Sequence, residues 1–314
     1  MSIRSFLKLV EIQTKIASIF PFFIGILFVL YRYEALHWKN TLIFFASMLI
    51  FDLTTTAINN YMDYRKANSD EYRKEKNVIG QEGIKESTVI ATIFTLFFTA
   101  TGLGIWLTAE TGLLVLLIGF ICFCIGILYT FGPIPLSRMP LGEVFSGVTM
   151  GFGIVFLTVY VNAFDYGIAS LVWEQDMILL QVNIIKIIEI IIVSLPCMFT
   201  IANLMLANNI CDVEDDIKNH RFTLPFYLGK KYSLWLYNGL YAGSFMAILI
   251  SVFFHLLPVI ALISLIAILP VYKHIRIFNQ IQVKSKTFSL AVKNLIIVNG
   301  CLVLSLAMSF IIVK

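Results

Sequence analysis

The chain has 314 residues, 59% of them hydrophobic and only 13% charged, about half the charged share of a soluble domain. That composition excludes a water-soluble globular enzyme, and apolar runs long enough to cross a bilayer make the chain an all-α polytopic membrane protein. The net charge of +4 is gathered in loops, which speaks for membrane orientation and against a nucleic-acid partner.

In chain order, Met1 to Lys15 carries Arg4, Lys8 and Lys15 and lacks a small-residue cleavage site, which predicts a retained N-terminal segment instead of a cleaved signal. Nine spans are predicted, at 14–31, 41–61, 89–109, 112–130, 142–163, 186–207, 233–252, 255–272 and 289–312, forming one domain over 1–314. With the N-terminus inside, only Arg32, Lys39, Lys186 and Lys314 fall outside, leaving 19 of the 23 Lys and Arg residues on the inner side. That asymmetry predicts a cytoplasmic N-terminus and an outer C-terminus. The five cysteines (Cys122, Cys124, Cys197, Cys211 and Cys301) lie in or beside apolar runs with no zinc or disulfide spacing, which argues against a His/Cys metal centre.

Two motifs stand out against this background. The sixth span runs into Ala207-Asn-Asn-Ile-Cys-Asp-Val-Glu-Asp-Asp. On a continuing helix Asn208, Asp212 and Asp216 share one face. The second span runs into Ile58-Asn-Asn-Tyr-Met-Asp, and there Asn59, Asp63 and Asp70 share a face by the same rule. Each acidic end alone also fits a solvated helix terminus with capping and turn residues. The repeat of Asn-Asn-x-x-Asp four spans apart, on one side of the membrane, instead suggests two parallel repeats serving a shared site.

Oxygen ligands in such a set suit Mg²⁺. Basic residues in the same loops suit an anionic phosphate. There is no Gly-x-x-x-x-Gly-Lys-Ser/Thr loop, which argues against P-loop hydrolysis of a nucleotide. The spans show no ladder of charges for an ion path, which lowers a transporter reading. A lipid-like diphosphate fits: its head at the aspartates, its tail among the spans, and a leaving diphosphate whose allyl cation needs apolar and aromatic shielding from water.

With these motifs in place, the chain resembles the UbiA-type intramembrane aromatic prenyltransferases, over essentially its whole length. Within that family it looks most like the branch that prenylates 1,4-dihydroxy-2-naphthoate in menaquinone synthesis. The stretches that carry this are Ala207 to Leu224, Tyr129-Thr-Phe-Gly-Pro-Ile-Pro-Leu-Ser-Arg138 followed by Leu141-Gly-Glu-Val-Phe, and Gly83-Ile-Lys85. The resemblance implies a nine-helix bundle around a central cavity that opens to the cytoplasmic face of the cell membrane and sideways to membrane lipid. It implies Mg²⁺ on Asn59, Asp63, Asp70, Asn208, Asp212 and Asp216, and a polyprenyl diphosphate touched by Lys85, Arg138, Lys218 and Arg221. Tyr129 would face the cation or the aromatic acceptor, with Asp63 and Asp212 as the central catalytic carboxylates. The family often carries an aspartate four residues after the first one; here that place is Ala67, and Asp70 stands seven residues on instead. The basic residues also fit ordinary inner-side charges. A sister acceptor such as 4-hydroxybenzoate, haem or a sugar phosphate remains an alternative at this stage, as does a membrane transporter.

Overall fold

A backbone that crosses hydrocarbon must satisfy its own hydrogen bonds, so long apolar runs fold as helices. The computed structural model describes residues 1–66, 72–130, 136–218 and 220–312. In order, the helices are α1 (Ile3–Leu9), α2 (Ile16–Tyr33), α3 (Trp38–Lys66), α4 (Val78–Gln81), α5 (Glu86–Thr111), α6 (Leu113–Thr130), α7 (Gly142–Ser146) and α8 (Ile154–Ala163). Then come strands β1 (Ala169–Glu174) and β2 (Met177–Val182), followed by α9 (Ile184–Lys218), α10 (Leu224–Phe253), α11 (Ile268–Gln280) and α12 (Lys284–Ile312). Among the described residues eight helical stretches are long and apolar enough to cross a membrane, and a shorter apolar helix, Leu113–Ile127, lies at the fourth predicted span. The chain is a multi-pass α-helical membrane protein.

The hairpin of β1 and β2 was not expected from the sequence. Its antiparallel register pairs Trp173 with Ile178 and Leu171 with Leu180, an alternation that was masked by the apolar residues around it. Several spans are longer than their apolar runs. At about 1.5 Å per residue, the 35 residues of α9 and the 29 of α3 exceed a hydrocarbon core of about 30 Å, as do α10 and α12. In α3 and α9 the excess carries the acidic motif.

The chain groups into two compact units, residues 1–18 with 38–135, and residues 19–37 with 136–314. In the first unit α3 packs along α5, with Ser47 Oγ donating to the Ala100 carbonyl at 3.0 Å. Leu9, Val10, Ala57, Ile79 and Val89 form a closed apolar cluster around the motif-bearing end of α3. Lys15, almost fully buried, donates to Asp52 at 2.7 Å and to Thr56 at 2.6 Å, and Ser18 donates to the same aspartate.

In the second unit α9 is the central element, packed on α10, α12 and the π-helical turn Gly147–Gly153 between α7 and α8. Small residues let that turn reach α9. A Cβ on Gly151 would lie 2.5 Å from Met198 Cα, and one on Gly147 would lie 2.9 Å from the Met198 carbonyl oxygen. Polar staples replace the hydrophobic drive that lipid cannot supply between helices. Asn203 donates to the Tyr237 carbonyl at 2.9 Å, and buried Asn299 donates to Thr200 at 2.8 Å while accepting from the Cys197 thiol at 3.3 Å.

Candidate active site

The helix that carries the first motif continues past the apolar run to Lys66, so Asn59 and Asp63 do lie one turn apart on α3. Asn59 is half-buried and Asp63 exposed. The second asparagine of the pair has a different task. Asn60 donates to the Leu9 carbonyl at 2.9 Å and to Glu11 at 3.1 Å, and its own carbonyl accepts from Asn77 at 3.0 Å. It fastens the N-terminal segment and the loop before α4 to the end of α3. Lys85 stands at the N-cap of α5, exposed. Beyond Asp63, Arg65 pairs with Glu86 at 3.0 Å. Asp70 and the side chain of Tyr129 lie outside the described residues.

The second motif follows the same division. Asn208 is half-buried on α9, and Asn209, buried, donates to Glu143 at 2.8 Å. Glu143 is itself buried at the start of α7, and among the described residues its second carboxylate oxygen finds no hydrogen-bond partner. Asn209 therefore locks α7 to α9 beside the motif. Asp212, about one-fifth exposed, is ion-paired with Lys284, the first residue of α12. Asp216 is buried; Arg221 Nε lies 3.4 Å from it, the Arg221 amide donates to its carbonyl at 2.8 Å, and Thr223 Oγ1 stands 3.5 Å from its carboxylate. The loop bearing Arg138 joins through the backbone, with the Phe222 amide donating to the Arg138 carbonyl at 3.1 Å. Lys218 instead pairs with Asp215 at 3.5 Å, both largely exposed, away from the Asp212 face.

Within the second unit, then, the structure gathers Asn208, Asp212, Asp216 and Arg221 at one helix end and ties the Arg138 loop to it. Lys218 points elsewhere. Among the described residues no group of three or more His, Cys, Asp and Glu side chains forms a ready metal cluster. The donor set is mixed amide and carboxylate oxygen, and both carboxylates carry a cationic side chain. A lysine ammonium on Asp212 occupies the place a hard cation would take, so the set fits an oxygen-seeking metal such as Mg²⁺.

Three features escaped the sequence reading. Lys284 is 72 residues from Asp212, and nothing local marks it. Glu143 carried a usable signal, being a carboxylate inside an otherwise uncharged span. Asp52 carried the same signal, and it shares the face of Asn59 and Asp63, about 10 Å along the helix from Asn59.

Against known proteins, the chain is 27% identical over 243 residues to 1,4-dihydroxy-2-naphthoate octaprenyltransferase of Bacillus subtilis (strain 168), spanning 76% of this chain and 70% of that protein. Its fold is similar to that of a UbiA homologue from Aeropyrum pernix K1, with a TM-score of 0.69 at 16% identity, covering 93% of this chain and 98% of the other. It is also similar to a UbiA homologue from Archaeoglobus fulgidus bound to GPP and Mg²⁺, with a TM-score of 0.60 at 13% identity, covering 97% and 98%. The paired motifs at the ends of α3 and α9 lie within residues 18–297, which match the UbiA prenyltransferase family, and the chain belongs to that family.

Proposed function

We propose that the chain transfers a polyprenyl group from polyprenyl diphosphate to 1,4-dihydroxy-2-naphthoate at the cytoplasmic face of the cell membrane, releasing diphosphate and CO₂ and giving demethylmenaquinone in its hydroquinone form. One observation carries this reading: the Asn and Asp face at the end of α9, just past a membrane span, with a lysine and an arginine already on its carboxylates. The name of the B. subtilis relative supports the naphthoate acceptor. The ligands of the A. fulgidus homologue support a metal-held prenyl diphosphate.

Asn208, Asp212 and Asp216 would hold Mg²⁺, and Asn59, Asp63 and Asp70 of the repeated motif would do the same. Bound there, the metal supplies positive charge against the leaving diphosphate. Lys284 gives up Asp212 and turns to a phosphate oxygen, joined by Arg221, Arg138 and Lys85. Arg221 and Thr223 keep Asp216 oriented. Tyr129 and the apolar spans keep water from the allyl cation. The donor C–O bond breaks with its electron pair leaving on diphosphate. The carboxyl-bearing ring carbon forms the new C–C bond, and the bond to the carboxylate breaks, returning its pair to the ring as CO₂ departs. No proton has to move to the protein in this balance.

The test is to give membranes containing the protein a labelled polyprenyl diphosphate with 1,4-dihydroxy-2-naphthoate, with 4-hydroxybenzoate, or with neither, and to identify products by mass. The decarboxylated naphthoate product, lost with EDTA and regained with Mg²⁺, is expected. A 4-hydroxybenzoate product alone, or no prenylated product, overturns the assignment.

A further inference from the structure

The hairpin of β1 and β2 connects two membrane spans, leaving the first at Tyr166 and entering the second at Ile184. Its base is closed by the Asn183 amide donating to the Ile168 carbonyl at 2.9 Å. Residues directly opposite in an antiparallel pair share a face. The register therefore puts Ala169, Leu171, Trp173, Ile178, Leu180 and Val182 on one face. The other face has Ser170, Val172, Glu174, Met177, Leu179 and Gln181, and the charges Glu174 and Asp176 lie at the tip. The first face is wholly apolar and largely uncovered: Trp173 is 67% exposed, Ile178 64% and Leu180 57%.

A two-stranded hairpin is marginal in water, and one with an uncovered apolar face is more so. The tethers decide what covers this face. Six-residue strands reach about 20 Å, so the tip cannot travel far from the membrane end that both spans share. The exposed apolar surface continues from Val182 into the first turns of α9, where Ile184, Ile185 and Ile188 are exposed on a membrane span. Trp173 also has the amphipathic character of an interfacial anchor, its indole Nε1 donating to the Gln175 carbonyl at 2.9 Å.

We propose that this hairpin is a membrane-seated arm, with its apolar face in the boundary between acyl chains and headgroups of the leaflet where α8 ends and α9 begins. The acidic tip and Gln181 stay on the water side. Because the tip is acidic, the seat depends on apolar burial and holds in zwitterionic lipid regardless of salt.

The full chain, reconstituted into phosphatidylcholine vesicles, supplies the test. The emission difference between the wild type and Trp173→Phe isolates Trp173. That component should be lost with bromines near the headgroup, less so with bromines near the chain ends, and barely touched by aqueous iodide. Trp173 in an Ile178→Asp, Leu180→Asp variant should become open to iodide while the helical circular dichroism stays unchanged. Strong iodide quenching of the wild type without lipid quenching places the arm in water and overturns the proposal. Indifference to both quenchers, with the protein recovered as a cross-linked pair, assigns the face to a second copy and overturns it as well.

Discussion

Lys284 provides the most informative single perturbation, because the two effects of removing it have opposite signs. Lys284 is ion-paired with Asp212, and on the proposed function its ammonium would compete there with a metal in the absence of donor. Lys284 is about half exposed, so the pair is worth about 0.2–1 kcal/mol. Taking about 1.4 kcal/mol per tenfold, Lys284→Met should tighten metal binding to the donor-free protein by up to about fivefold. On the proposed function, with diphosphate present the same lysine would make a charge-assisted hydrogen bond worth about 1.5–3 kcal/mol. Its loss should weaken pyrophosphate binding by about one to two orders of magnitude. The assay is Mn²⁺ binding by electron paramagnetic resonance in detergent, without and then with inorganic pyrophosphate. Raising the ionic strength should shrink the first effect, since the pair is open to solvent. Tighter metal binding with unchanged pyrophosphate affinity, or no change in either, refutes the exchange of Lys284 from carboxylate to phosphate.

Other expectations concern the scaffold that holds the site. Gly151→Ala puts a methyl group against the Met198 backbone, which cannot yield; it should cost about 1–3 kcal/mol in detergent unfolding. Gly153→Ala, whose nearest neighbour is at 3.6 Å, should leave stability nearly unchanged, and equal losses at both would discredit the close approach. Lys15→Met leaves the half-buried Asp52 without its cation and should cost about 1–3 kcal/mol, largely regained when Asp52→Leu is added. At the N-terminus, Lys8 and then Ser5 hold the Glu82 carboxylate below its ordinary value. A depressed folded value means a contribution that is present above the ordinary glutamate pKa of about 4.3 and lost as pH falls through the lower folded value. Amide protection over residues 3–9, corrected for the intrinsic pH dependence of exchange, should therefore fall on acidification, and Glu82→Gln should remove that loss.

The helices were legible because hydrocarbon leaves a backbone so few choices: apolar length was enough to find α2, α3, α5 and α9. The motifs were legible because they repeat and because helical spacing puts Asn208, Asp212 and Asp216 on one face of α9. The split roles within each Asn-Asn pair were not legible. Whether Asn59 or Asn60 is the structural member depends on Leu9 and Glu11, about 50 residues away in the chain. The Asp212–Lys284 pair and the Asn209–Glu143 lock are contacts of the same long-range kind, which no local spacing encodes. The hairpin was hidden for another reason: in Met177 to Val182 only Gln181 is polar, so period two shows only once the partner strand is in register.

The most direct measurement is single-turnover prenyl transfer in nanodiscs over a Mg²⁺ titration, comparing Asp63→Asn, Asp212→Asn and the double variant, normalised to folded protein. Asparagine keeps the size of aspartate and removes its charge. If both carboxylates serve one diphosphate, each single change should slow transfer by at least about 100-fold. Each should also shift the Mg²⁺ dependence upward, and the double change should cost little more than the worse single one. An Asp212→Asn protein that turns over near the wild-type rate with unaltered Mg²⁺ dependence would mean that the acidic end of α9 is not the active site.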